Sequence, residues 1–300
     1  MSHPDSTTAT GTDPRSETGD TASDADDASE RDEQSSAAPD ANLHATDLRV
    51  GYPGMDEPVV DTDTLVVPEG EVSALVGPNG SGKSTLLKTL ARHLDAEAGD
   101  VLLKGKEIAT YDAKEFAREL GMLSQHASTP DGVTVEELVH HGRYPHKGFL
   151  EGKTPEDEAA VDRAIELAGV EELRTNQVGS LSGGQRQLVR IAMALAQETD
   201  TLLLDEPTTY LDLRHQLRVM DVIRTINEER GVTVCIVLHD LTQAARFADY
   251  LVALRDGEVY DWGRPNDVVT EELLADVFRV DAAVSYTPTP EIVPKRALDR

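Results

Sequence analysis

Short apolar runs alternate with longer amphipathic stretches along most of the chain. Runs at 72–76, 201–204 and 233–238 are mainly apolar from end to end, which is typical of strands buried on both faces. Strands that alternate with helices predict an α/β fold with a mostly parallel core sheet, whose ligands bind at the carboxyl ends of the strands. The stretches that predict the helices of this core lie at 85–94, 185–197 and 213–229.

A second group of strands is predicted before and after the first core helix. Residues 43–50 alternate approximately between apolar and polar, 64–67 form a short strand-like run, and 100–103 with 107–108 predict a hairpin around a Lys-Gly-Lys turn. We expect these strands to form an antiparallel β subdomain. Residues 122–125 predict the end of a further core strand.

The pattern changes at three places, which predicts the domain organisation. Residues 1–42 contain almost no large apolar residue and predict a disordered acidic tail, because they cannot bury enough surface to offset the entropy of ordering. Between the core strands, helical segments at 133–141 and 156–168 predict an inserted helical subdomain over about 126–185. We expect the main domain to span 43–280 and residues 281–300 to be a C-terminal extension.

A glycine-rich loop joins the first buried strand to the first core helix. Residues 77–85, which we call the phosphate loop, match the pattern G-x-x-x-x-G-K-[ST]. Its glycines let successive backbone N–H groups surround phosphate oxygens, Lys83 adds a positive charge, and Ser84 offers a hydroxyl to Mg²⁺. A glycine-rich turn with a stray lysine is the alternative, which the strand before it and the helix after it disfavour. The candidate contacts are Gly77, Pro78, Asn79, Gly80, Ser81, Gly82, Lys83, Ser84 and Thr85.

Two carboxylates end another buried strand. Asp205 and Glu206 follow the apolar run at 201–204, where a P-loop nucleotidase holds its magnesium and positions the attacking water. We expect Asp205 to orient the magnesium shell and Glu206 to act as the general base. A solvated turn would explain an isolated Asp-Glu pair, but this pair ends a buried strand in a chain that also carries a phosphate loop.

A second glycine-rich turn opens a helix at Leu181-Ser182-Gly183-Gly184-Gln185, which we call the signature turn. It predicts a second anion-binding helix N-terminus. With this motif the chain resembles the ATP-binding subunits of ABC transporters, whose signature is LSGGQ. The resemblance runs from about residue 43 to residue 280. The motifs also follow one another in the order typical of the family: aromatic residue, phosphate loop, glutamine, signature, acidic strand end and histidine.

The resemblance implies an ABC ATPase that binds ATP and Mg²⁺ and pairs head to tail with a second copy. Each ATP would then lie between the phosphate loop of one copy and the signature turn of the other. Further implied roles are adenine stacking by Tyr52, sensing of magnesium and attacking water by Gln125, a link between the two sites by Asp212, and a γ-phosphate contact by His239. The catalytic candidates are therefore Glu206, His239, Gln125 and Lys83, and the metal candidates are Ser84, Gln125 and Asp205.

Two further segments, 134–146 and 208–216, look like the importer branch that takes up iron-siderophore, haem and cobalamin substrates. That resemblance implies a transmembrane permease partner, an indirect extracytoplasmic substrate-binding protein, and a peripheral position on the cytoplasmic face of the cell membrane. Two other classes stay open. A soluble ABC ATPase acting on ribosomes or DNA usually has two cassettes or long inserts, and a P-loop kinase or GTPase leaves the signature turn unexplained.

Other candidate chemistry is weaker. His140, His141 and His146 lie close in sequence, but no cysteine or well-placed carboxylate completes a metal-binding pattern, and we expect surface or subdomain contacts instead. Cys235, the single cysteine, lies inside an apolar run, which predicts a packing role. The apolar runs are too short to span a bilayer, and the N-terminus lacks the pattern of a secretory signal.

The formal net charge of −28 argues against binding to nucleic acid or anionic lipid through bulk electrostatics. Acidic residues spread along the whole chain, and lysine is scarce beside arginine. We therefore expect a salt-adapted protein, such as one from a halophilic archaeon, because dense surface carboxylates repel one another unless salt screens them. An ordinary acidic protein with an acidic tail is the alternative.

Thermal unfolding from low to molar salt tests this expectation. Salt adaptation predicts a midpoint that rises across the whole range, since screening relieves the repulsion between surface carboxylates. A midpoint that stays level or falls would contradict it.

Overall fold

The computed structural model describes residues 40–55, 57–125, 132–146 and 152–299. Residues 1–39 of the predicted tail lie outside this description, and β1 begins two residues before the expected boundary. The strands are β1 (Ala41–Val50), β2 (Val60–Pro68), β3 (Val72–Val76), β4 (Ala98–Leu103), β5 (Lys106–Glu107), β6 (Leu120–Leu123), β7 (Thr201–Asp205), β8 (Thr233–Val237), β9 (Tyr250–Arg255), β10 (Glu258–Gly263), β11 (Val280–Tyr286) and β12 (Pro290–Ala297). The helices are α1 (Lys83–Leu90), α2 (Ala113–Glu119), α3 (Val135–His140), α4 (Pro155–Ala168), α5 (Gly183–Leu195), α6 (Leu213–Arg230), α7 (Leu241–Phe247), α8 (Pro265–Val268) and α9 (Glu271–Asp276).

The central sheet has the strand order β10-β9-β3-β8-β7-β6. Neighbours from β9 to β6 pair in parallel, and β10 pairs antiparallel with β9 at the edge. Every residue of β3, β7 and β8 is buried, as their apolar runs predict. The predicted α/β fold with a mostly parallel core sheet is confirmed. Because these strands are parallel, their carboxyl ends lie along the same edge of the sheet.

The second sheet is antiparallel, with the order β2-β1-β4-β5, and α1 packs between the two sheets. Leu86 and Leu87 of α1 are fully buried in one apolar cluster with Leu48 of β1 and Leu203 of β7. Six of the eight residues of α1 are buried. Packing on both sides therefore fixes the start of α1 at the carboxyl end of β3.

The helices α3, α4 and α5 lie between β6 and β7 in the chain. Capping boxes begin all three, and Gly169 in the left-handed conformation ends α4. Val139, Ile165 and Val189 are fully buried in the apolar cluster that also covers one face of the central sheet. The predicted helices at 133–141 and 156–168 are confirmed, except that His141–His146 forms a 3₁₀ helix.

A buried ion pair holds this 3₁₀ helix against α4. The Arg143 guanidinium lies 3.0 Å from Asp157, donates to the carbonyl of Ala196 at 2.8 Å, and lies 3.0 Å from Glu198. Nearby, His141 stacks on Tyr144, and the Nε2 atom of His146 lies 2.7 Å from the carbonyl oxygen of Gln197.

The end of the chain is more regular than the sequence suggests. The predicted extension at 281–300 is mostly an antiparallel hairpin of β11 and β12 that begins at Val280, so the expected boundary falls inside β11. Cys235 is buried, and burial raises the pKa of its thiol to about 12, which agrees with a packing role. Within the described ranges, no helix is both long and apolar enough to cross a membrane.

Two arginines that share Glu198 give a stability prediction. Arg143→Met removes a guanidinium whose side chain is only 6% exposed and leaves the buried Asp157 without that partner, which we expect to cost about 3–5 kcal/mol. Arg163→Met removes an exposed contact to the same Glu198 and should cost about 0–1 kcal/mol. Urea unfolding of both variants measures the difference, and equal losses would contradict this account.

Candidate functional site

The phosphate loop runs from the carboxyl end of β3 into the N-terminus of α1. Gly82 is the N-cap of α1 at φ 98°, and a Cβ there would lie 2.9 Å from the carbonyl oxygen of Val59. A Cβ on Gly77 would overlap the carbonyl of Leu254 in β9. These two glycines are therefore required by the close approach of neighbouring backbone as well as by the turn itself.

Lys83 is buried within this loop. Its Nζ donates to the carbonyl oxygens of Gly77 and Pro78 at 2.9 and 2.8 Å. Burial lowers the pKa of the Lys83 amine, while the carboxylates of Glu206 and Asp205 act in the opposite direction. The hydroxyl of Ser81 is also buried and has no hydrogen-bond partner among the described residues. A buried ammonium beside a free hydroxyl is suited to binding phosphate oxygens.

Ser84 and Asp205 meet at the first turn of α1. The Ser84 Oγ donates to Oδ1 of Asp205 at 2.8 Å, although the two residues lie far apart in sequence. Asp205 is buried at the end of β7. A hydroxyl and a carboxylate are oxygen ligands of the kind that Mg²⁺ prefers, and Mg²⁺ usually keeps several of its waters, so this small donor set fits the ion.

Glu206 contacts residues from the ends of three adjacent strands. Its Oε2 accepts hydrogen bonds from Nε2 of Gln125 at 2.5 Å and Oγ1 of Thr209 at 3.1 Å, and its Oε1 lies 2.6 Å from Nε2 of His239. Because a carboxylate oxygen only accepts, His239 carries a proton on Nε2. We call Gln125, Glu206, Thr209 and His239 the Glu206 cluster.

The backbone of Glu206 helps to form this cluster. Glu206 has a φ of 52°, in the left-handed region that glycine favours, directly after β7. Such a conformation costs a non-glycine residue about 1–2 kcal/mol, and it persists only where surrounding contacts compensate. Gln125 follows β6 and His239 follows β8, the two strands that flank β7. The parallel sheet thus brings two side chains from distant segments to one carboxylate.

A cavity of about 300 Å³ joins the phosphate loop to the Glu206 cluster, within the usual size range of ligand pockets. Tyr52 follows β1 and lies close to the first turn of α1, because its hydroxyl is 3.2 Å from Oγ1 of Thr85. Tyr52 is 37% exposed to solvent. The ring is thus beside the phosphate loop and accessible to a ligand. The cavity is lined by Val59, Asn79, Gly80, Gly82, Lys83, Ser84, Thr85, Glu206 and His239.

The signature turn is not part of this cavity. Ser182 is the N-cap of α5, and its backbone N–H donates to Oε1 of Gln185 at 3.0 Å. Gly184 packs against the ring of His215, so a Cβ would overlap that ring, whereas a Cβ on Gly183 would meet nothing within 4 Å. The His215 ring also lies 2.9 Å from both carboxylate oxygens of Asp212. Contacts within the chain thus explain Gly184 but not Gly183.

Sequence reasoning gave no site role to two residues that the structure places here. Thr209 donates to the catalytic candidate Glu206, and Val59 lines the cavity and approaches Gly82. The spacing of Thr209, three residues after Glu206 in a turn, is a local signal that could have indicated the first contact. Val59 carries no comparable signal, because its position depends on the packing of β2 against the loop.

Comparison with known proteins identifies relatives over most of the chain. Residues 60–209 match the family model described as ABC transporter. The ferric enterobactin transport ATP-binding protein FepC of Escherichia coli (strain K12) is 44% identical over 257 residues, which are 85% of this chain and 94% of that protein. The iron(3+)-hydroxamate import ATP-binding protein FhuC of Bacillus subtilis (strain 168) is 43% identical over 247 residues, 82% of this chain and 91% of that protein.

Solved structures show the same fold. A chain from an ABC transporter in an inward-facing conformation aligns with a TM-score of 0.72 and 26% identity, covering 86% of this chain and 98% of that one. The ATP-binding cassette MJ0796, solved as a dimer in a post-hydrolysis state bound to ADP and phosphate, aligns with a TM-score of 0.65 and 28% identity, covering 74% of this chain and 98% of that one.

We expect the residues at the phosphate loop to contribute unequally to nucleotide affinity. Lys83→Ala removes charge-assisted bonds worth about 1.5–3 kcal/mol each, so we expect triphosphate binding to weaken about 100-fold. Tyr52→Ala removes a stacking ring worth about 1–3 kcal/mol and should weaken binding about tenfold. Lys88→Ala, at the far end of α1, is the control and should bind normally. Titration with a fluorescent ATP analogue measures all three, and a larger loss for Tyr52 than for Lys83 would refute the ranking.

Proposed function

This chain belongs to the ABC transporter family of ATP-binding subunits and is an ATPase, and we propose that it energises import of an iron-siderophore, haem or cobalamin type substrate. Both relatives described above are named for transport or import of iron(III) chelates, and they align over most of their length. This supports the iron-siderophore member of the three classes. The same names favour import over the alternative of a soluble ATPase acting on ribosomes or DNA.

The phosphate loop would hold the nucleotide. Its backbone N–H groups and Lys83 would bind the phosphates, with Tyr52 stacked on adenine. Ser84, Asp205 and Gln125 would hold Mg²⁺, which would supply positive charge to offset the negative charge that develops on the phosphate during hydrolysis. Support comes from the buried Ser81 hydroxyl, the Ser84–Asp205 contact and the volume and lining of the cavity.

Glu206 would carry the chemical step. A water oxygen attacks the γ-phosphorus, the bond from that phosphorus to the β,γ-bridging oxygen breaks, and ADP and phosphate form. Glu206 would accept the proton of the attacking water, while Gln125 aligns that water. His239 would contact the γ-phosphate. Its side chain is 41% exposed, its Nε2 is paired with Glu206, and it lines the same cavity as the phosphate loop, which supports this role.

A second copy would complete each site. Ser182, Gly183, Gly184 and Gln185 do not line the cavity of their own phosphate loop, and Gly183 is open to its surroundings. A head-to-tail pair would place the signature turn of each copy on the ATP of the other, with Asp212 linking the two sites. The dimeric arrangement of the MJ0796 cassette supports this proposal.

The transport partners would be a transmembrane permease and, indirectly, an extracytoplasmic substrate-binding protein. The chain would sit on the cytoplasmic face of the membrane as a peripheral subunit. Coupling would run through α3 to α5 and the segment after Gln125, because the catalytic core is otherwise common to the whole family.

Uptake by living cells tests this function. Cells that lack the gene should lose uptake of a radiolabelled ferric siderophore, and wild-type protein should restore it. Glu206→Gln should not, because loss of a general base lowers turnover about 10²–10⁴-fold while ATP binding remains. Labelled haemin and cyanocobalamin are the matched alternative substrates. Steady ATP hydrolysis by the Glu206→Gln protein would refute its role, and unchanged uptake of all three substrates in the deletion strain would refute the proposed import.

A further inference from the structure

Arg190 of α5 reaches the backbone of the segment that carries Gln125. Its Nη2 donates to the carbonyl oxygen of Ser124, and its Nη1 lies 3.5 Å from the carbonyl oxygen of Gln125. The same Nη1 donates to Oε1 of Gln187, one turn earlier on α5, at 3.0 Å. The guanidinium is therefore held by its own helix and bound to the end of β6.

The environment of Arg190 does not suit a purely stabilising role. Among the described residues it has no ion-pair partner, and burial lowers the pKa of its guanidinium. Its Nε is buried and has no hydrogen-bond partner in the same part of the chain. An unsatisfied buried donor costs about 1–3 kcal/mol, so an apolar residue would be the simpler way to fill this position. Departures of this kind from good packing are expected at functional sites.

The contact joins two parts of the proposed ATP site. Arg190 lies seven residues after Gly183, about 10 Å along a continuous helix that begins at the signature turn. At its other end the contact fixes the backbone of Gln125, whose side-chain amide donates to Glu206. Arg190 therefore connects α5 to the backbone at Ser124 and Gln125, and the Gln125 side chain continues this connection to the carboxylate.

We propose that Arg190 is a positioning residue that joins α5 to the backbone of Gln125 and thereby keeps the Gln125 amide directed at Glu206. Arg190 does not line the cavity at the phosphate loop. Because a helix moves as a rigid rod, the Gln125–Glu206 contact depends on where α5 lies. Engagement of the signature turn by the ATP of a second copy thus reaches the hydrolytic carboxylate through two side chains. This inference rests on the proposed ATPase function of the pair.

Steady-state kinetics of the full-length chain test the proposal. Arg190→Met should lower kcat about 10–100-fold, the usual effect of misplacing a catalytic group by about 1 Å, and leave ATP affinity within about twofold of wild type. Arg190→Lys keeps a cationic donor and should recover a large part of kcat. Arg224→Met, an equal change at an exposed position on α6, should leave both quantities unchanged.

Hydrogen exchange at the backbone amides of Ser124 and Gln125 provides a readout that does not depend on turnover. Arg190→Met should speed exchange there, and Arg190→Lys should speed it less.

A kcat for Arg190→Met equal to that of wild type would overturn the proposal. The proposal would also be overturned if the Met and Lys variants lost kcat equally and in proportion to their loss of folded protein, because Arg190 would then have only a structural role. If Arg190→Met does not fold, Arg190→Gln replaces it under the same criteria. A wild-type chain without ATPase activity would instead refute the proposed function.

Discussion

The hydrogen bonds to the Glu206 carboxylate are the contacts on which the rest of the site depends. They join Gln125, Thr209 and His239, which follow β6, β7 and β8, to one acceptor. This geometry exists only because three parallel strands end at the same edge of the sheet, and because Glu206 adopts a left-handed backbone conformation directly after its strand. A carboxylate bound in this way has a fixed direction toward the cavity, which a general base requires before it can align a water.

The phosphate loop depends on packing of a different kind. Its backbone is held from outside by Leu254 of β9 and by Val59, and α1 is fixed between the two sheets by leucines on both sides. The N-terminus of α1 therefore lies at the cavity. Ser84 and Asp205 then connect this loop to β7, so that the phosphate loop and the strand that precedes Glu206 share one part-buried hydrogen bond.

The sequence predicts the parts of this protein whose cause is local. Continuous apolar runs indicated β3, β7 and β8, and the spacing of glycines around Lys83 indicated a phosphate site. We did not predict β9 or β10. The buried strand β9 does carry an apolar run, YLVALR, that could have indicated it, whereas β10 is a mostly exposed edge strand with the mixed sequence EVYDWG and no clear alternation. Nor could the sequence indicate Arg190, since helical periodicity places that residue on a face of α5 but says nothing about the carbonyls that its long side chain reaches. The division of each ATP site between two copies followed from the resemblance rather than from any pattern in one chain.

Trapping of ATP by mixed dimers tests that division most directly. Two differently tagged copies, both carrying Glu206→Gln to stop turnover, are co-expressed and purified through both tags. One also carries Lys83→Ala, and the other carries Gly183→Arg, at a position where an added Cβ would meet nothing within 4 Å among the described residues. If the sites are shared, the mixed dimer retains one intact phosphate loop facing one intact signature turn and traps one ATP, while each variant paired with itself traps none. Absence of trapped ATP in the mixed dimer, with normal trapping by copies carrying only Glu206→Gln, would contradict the account.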